Sequence, residues 1–136
     1  MRRILMVLPL LLAACSGGSW PSGSYVQSIS PDDAKVLAPA VADAVAAILP
    51  SKQDIHVQPA GPDDPVAALL PPFLDRADFT ETKNGIPVSY VAGPMDEGVL
   101  LRVSVDNRDS ASRYFVRTST RILTPGGPLT VGTTDR

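Results

Sequence analysis

Few residues in this 136-residue chain are equipped for chemistry, and they do not cluster. There is one cysteine, Cys15, and one histidine, His56. His56 lies between Ile55 and Val57, so in a strand it points away from their shared face. A single histidine without neighbouring ligands is a poor basis for a zinc site. The acidic pairs Asp32-Asp33 and Asp63-Asp64 precede apolar stretches of helical spacing, where capping and the helix dipole account for them. The pair Asp96-Glu97 falls in a turn. Serines are plentiful but lack a base, and no phosphate loop, nucleophile elbow or calcium loop is present. These residues predict a protein that is not an enzyme and carries no cofactor or metal.

The thiol is different, because of what precedes it. Met1-Arg2-Arg3 is basic, Ile4–Leu12 is apolar apart from Pro9, and Leu12-Ala13-Ala14 closes the run with small residues. The apolar run is much shorter than the roughly 20 residues a spanning helix needs, but it fits the core of a secretory signal. Leu12-Ala13-Ala14-Cys15 resembles the lipobox of bacterial lipoproteins, in which the thiol takes a diacylglycerol before cleavage and the new amine is then acylated. The expectation is a signal over 1–14, a lipid on Cys15 and a domain facing the periplasm. Ser16, in place of an aspartate, favours the outer membrane by the sorting rule of enteric-type bacteria, with the inner membrane as the alternative. Losing Arg2 and Arg3 leaves 10 basic against 14 acidic residues, a charge of −4. That is no footprint for direct nucleic-acid binding.

Residues 16–29, SGGSWPSGSYVQSI, read as a flexible tether; with Cys15 the lipid-anchored linker spans 15–29 and the domain 30–136. Trp20, Tyr25, Val26 and Ile29 exceed what a spacer needs and are candidates for docking onto a partner protein. Two rivals are that Tyr25 and Ile29 pack on this chain's own domain and that Trp20 rests among lipid headgroups.

Ser30-Pro31-Asp32-Asp33 has the features of a helix start. Leu37, Val41, Ala44, Val45 and Ile48 then give a helical apolar stripe, with a kink predicted at Pro39 and an end at Pro50. Gln53–Gln58 is predicted as a strand. Asp64-Pro65 opens a second helix, which Pro71-Pro72 should shorten or bend. Strands follow from Phe79, with Asn84-Gly85 predicted as a hairpin turn. Ile86, Val88 and Tyr90 alternate on one strand, and Leu101, Val103 and Val105 share a core face on the next. Tyr114 and Val116 share one side of a strand over 113–121, and 129–131 is a weak last strand. Arg102, Arg113, Arg117 and Arg121 on these strands form either a solvated face or a contact for an acidic partner. The fold class expected is α+β: one long and one short helix near the N-terminus, packed on a mainly antiparallel sheet.

The succession SYVQSISPDDAKVLAPAVADAV, QDIHVQP, DDPVAALLPPFLDRADF, IPVSYV, LLRVSVDN and SRYFVRT resembles the TrbH lipoproteins of Trb-type conjugative transfer systems over nearly the whole chain. The stretch YVQSISPDDAK is the most specific part. The resemblance implies a structural component of a type IV secretion channel, at the outer-membrane core beside TrbG-like and TrbI-like subunits. The alternative is a stand-alone periplasmic lipoprotein that binds a ligand or acts as a chaperone.

Overall fold

The structure, a computed structural model, describes residues 23–50 and 52–133. The export signal, Cys15 and Trp20 therefore lie outside the described residues. Two helices pack on one face of a mixed sheet, in the α+β arrangement expected.

Helix α1 (Pro31–Ile48) begins where the sequence placed it. Ser30 Oγ accepts from Asp33 N at 3.1 Å, and Asp33 Oδ2 accepts from Ser30 N at 3.2 Å. This reciprocal capping box satisfies two donors that the first turn leaves free. The helix runs unbroken through Pro39. Ala34, Leu37, Ala38, Val41 and Val45 are fully buried, whereas Ile48 at the end of the stripe is only half-buried.

Helix α2 (Pro65–Arg76) is short, as expected, and it continues through Pro71 and Pro72 for one further turn. The prolines remove donors aimed at the carbonyls of Ala67 and Ala68. Pro71, Pro72 and Ala68 are all exposed, so water can take those carbonyls. The opposite stripe, Val66, Leu70 and Leu74, is buried and fastens the helix to the core. Packing of that stripe outweighs local propensity.

The sheet has the order β3-β2-β4-β5-β6-β7. These strands are β2 (Asp54–Val57), β3 (Thr80–Glu81), β4 (Ile86–Met95), β5 (Gly98–Val105), β6 (Asp109–Arg117) and β7 (Leu123–Pro125). Two further strands complete it: β8 (Thr130–Thr133) pairs with the start of β6, and β1 (Tyr25–Val26) pairs with β4. Strands β4 to β8 pair antiparallel, whereas β1, β2 and β3 join in parallel. Leu101, Val103 and Val105 point into the core as expected.

Asn84-Gly85 does not make a hairpin. Strands β3 and β4 lie on opposite sides of β2, both parallel to it, and Ile55 is in register with Glu81 on one side and Ile86 on the other. The chain steps over β2 at Gly85. A Cβ there would sit 2.6 Å from both the N and the O of Ile55. Only glycine permits one backbone to pass this close to another.

Candidate functional site

The residues proposed for docking belong largely to the fold. Tyr25 is in register with Val91 and Val26 with Ala92, and Gln27 N donates to Ala92 O. Ser24 Oγ accepts from Tyr90 N at 3.0 Å, so the chain is already tied to the sheet at Ser24. The stretch assigned to a linker up to residue 29 thus contains a strand of the sheet. Val26 and Ile29 are half-buried against the core. They also line a cleft of about 340 Å³ facing Ala60–Pro65. Tyr25 keeps 47% of its surface exposed.

Asp64 is the polar centre beneath that cleft. Its Oδ1 caps α2 by accepting from Val66 N (2.9 Å) and Ala67 N (3.2 Å). Its Oδ2 accepts from Ala60 N (2.9 Å) and from the phenol of Tyr90. Burial, reinforced by the Asp64 carboxylate, pushes the Tyr90 phenol well above the usual tyrosine range. Tyr90 therefore acts as a donor, and this cluster ties α2 to β4. Asp64 as a cap was readable from Asp64-Pro65. Its tie to Tyr90, 26 residues away, carries no local signal.

A second polar anchor lies at the start of α1. Arg117 on β6 grips Asp33 with both terminal nitrogens, at 2.8 and 2.9 Å. Its guanidinium holds the Asp33 carboxyl below the ordinary range, against the opposing effect of burial, and hydrogen bonds from Ser30 assist. Arg113 Nε donates to Gly127 O at 3.0 Å, while Arg102 and Arg121 are exposed at separate places. The four arginines are thus two structural ties and two isolated cations, and form no single acidic-partner surface.

His56 is half-buried at the β2 edge, its Nδ1 3.0 Å from Glu81 Oε2. Glu81 Oε1 accepts from Val57 N at 2.6 Å, so this carboxylate continues the ladder where β3 stops. Beside it a groove of about 570 Å³ opens between α2 and the β2–β3 edge. Val57, Leu70, Leu74 and Phe79 form its floor, Pro71 and Pro72 one wall, and Asp75 and Glu81 its charged rim. Its size lies in the range of small-molecule sites, and its lining is mainly apolar. Among the described residues no three of His, Cys, Asp and Glu come together as a metal site would require. No described helix is long and apolar enough to cross a membrane.

No protein-family model, curated protein or solved structure matches this chain.

Proposed function

We propose that this chain is a lipid-anchored structural component of a conjugative type IV secretion apparatus, held in the outer membrane by Cys15 with its domain in the periplasm. The observation that carries the reading is the succession of stretches resembling TrbH lipoproteins, YVQSISPDDAK above all. In the fold, Tyr25-Val26 is β1 and SPDDAK is the capping box and first turn of α1. The most specific part of the resemblance is therefore the joint between tether and domain. A scaffold subunit needs that joint to be rigid, because force on the anchor passes through it. Its partners in this reading are TrbG-like and TrbI-like channel subunits, with no direct contact to nucleic acid.

The test is to tag the full chain in a donor strain, cross-link envelopes and identify what co-purifies, while a deletion strain is scored for plasmid transfer. Channel subunits in the eluate and a loss of transfer on deletion are the expected results. Unchanged transfer with no channel subunit recovered overturns the reading. The 570 Å³ apolar groove favours a second reading, a stand-alone periplasmic lipoprotein that binds a ligand. That reading expects normal transfer after deletion and a small apolar molecule retained by natively purified protein, visible by mass spectrometry.

A further inference from the structure

Both helices lie on one face of the sheet, and no described helix covers the other. Along β4, β5 and β6 alternate positions face the helices, and Val88, Tyr90, Leu101, Val103, Ala111 and Phe115 are buried there. The alternate positions look outward. There Met95 is 48% exposed, Leu100 37% and Val116 36%, with Tyr25 beside them on β1. Register makes this one patch. Leu100 is opposite Gly93 and Tyr114, Gly98 lies between Met95 and Val116, and Val91 lies between Tyr25 and Arg102.

Arg102 is the only charged side chain at the outward positions of these three strands, Ser89–Met95, Leu100–Ser104 and Ser110–Val116. Asp96 and Glu97, in the β4–β5 turn, mark one end of the patch. A positive, tyrosine-flanked apolar face on a chain with net negative charge is unusual patterning, and it limits what fits there. A symmetric pairing that stacked the centres of two such faces would bury two Arg102 guanidiniums against strands whose outward positions carry no carboxylate, Asp96 and Glu97 lying only in the turn at the patch's end. A bilayer interface suits every member. Tyrosine rings favour the headgroup level, an arginine stem can lie along apolar surface while its guanidinium reaches phosphate, and anionic lipid attracts the cation.

The tether supplies proximity. Ten residues separate Cys15 from Tyr25, at most about 35 Å of extended chain. An acylated Cys15 therefore keeps this face near the bilayer at high effective concentration, so weak contacts suffice.

We infer that, with Cys15 acylated, the helix-free sheet face rests on the membrane. Met95, Leu100 and Val116 enter the boundary between headgroups and acyl chains, and Arg102 meets lipid phosphate. The inference rests on the lipid anchor of the proposed function.

With Cys15 acylated, an introduced cysteine is the only free thiol in the chain. Full-length lipidated protein carrying Leu100→Cys, or Asp43→Cys on the exposed side of α1, is labelled with an environment-sensitive fluorophore. It is then reconstituted into vesicles of phosphatidylethanolamine and phosphatidylglycerol containing a nitroxide lipid. Quenching at 100 and none at 43 is expected, together with loss of the quenching when Arg102→Glu and Met95→Asp are added. These positions are exposed, and a thermal melt confirms that the variants fold. A label at 100 that stays unquenched while the protein floats with the vesicles overturns the inference and leaves the anchor intact. Quenching at 43, or cross-links between labelled faces of two copies, overturns it in favour of another orientation or a self-association surface. Failure to float, with no palmitate incorporated, overturns the anchor and this inference together.

Discussion

The two buried carboxylates show how single residues tie the layers together, and each gives a pH-dependent prediction. Asp33 is 4% exposed and held by a bidentate arginine, so its folded pKa lies below the ordinary value of about 3.9. A depressed carboxyl contributes stability that is present above the unfolded pKa and lost as pH falls through the folded one. Arg117→Ala should cost about 2–3 kcal/mol at neutral pH, since Asp33 keeps its Ser30 bonds but loses its charge partner. The same variant should lose less stability on acidification below about pH 4 than the parent does. Urea melts across the acid range check both effects, and a parallel pH dependence in the two proteins would remove the ion pair from the account. Tyr90 has the opposite sign. Its phenol is raised by burial and Asp64, so the stability it contributes is complete below the unfolded value of about 10 and falls as pH rises beyond it. Tyr90→Phe should cost about 1–2 kcal/mol at neutral pH and flatten the alkaline loss. Melts at neutral and alkaline pH measure it.

Among the elements, those made by local chemistry were legible and those made by distant pairing were not. The start of α1 could be read from Ser30, Pro31 and Asp33, and that of α2 from Asp64-Pro65, because a cap and its donors lie within a few residues. The core stripe Leu101, Val103, Val105 followed from simple alternation. Two-residue β1 has no periodicity to show, and Ser- and Gly-rich neighbours made its segment look like spacer; only Val91 and Ala92 opposite it create the strand. Of the docking candidates, Val26 and Ile29 fit the rival reading of packing on this chain's own domain, while Tyr25 stays exposed. Val26 and Ile29 are apolar because they cover this domain's own core. Asn84-Gly85 has hairpin chemistry but is used for a crossover, since β2 already occupies the place beside β3 that a returning strand would take. This makes Gly85→Ala a sharp test. In a hairpin turn with open space the change would cost about 1 kcal/mol, whereas a methyl group pressed on the Ile55 backbone should cost about 3 kcal/mol or more. Gly127, where an added methyl group would meet nothing within 4 Å, serves as the control and should tolerate alanine. Equal melting temperatures for the two variants would place the crossover elsewhere.

At the scale of the whole molecule, the proposed function makes anchor and domain separate physical systems joined by a short covalent link. The core lies between one sheet face and two helices, and among the described residues the first side-chain tie to the sheet is made at Ser24. The core residues and both polar anchors among the described residues all lie after Cys15, from Asp33 onward. In the proposed function membrane attachment rests on the lipid of Cys15, where one acyl chain would bind only marginally and two would hold stably, each buried methylene contributing about 0.8 kcal/mol. Cys15→Ser should therefore split location from stability. Palmitate incorporation should disappear, and the chain should accumulate as uncleaved precursor or as a soluble periplasmic form. The melting temperature of the domain should be unchanged, since every residue of its core and both polar anchors remain. Transfer of a conjugative plasmid should fall toward the level of a deletion, because a scaffold subunit released from its membrane no longer holds the channel there. The measurements are radiolabelled palmitate, fractionation of envelopes, a thermal melt and a mating assay on one strain pair. Undiminished palmitate in the serine variant would sink the lipoprotein reading. Full transfer by a soluble form would keep the lipid but detach it from the function proposed.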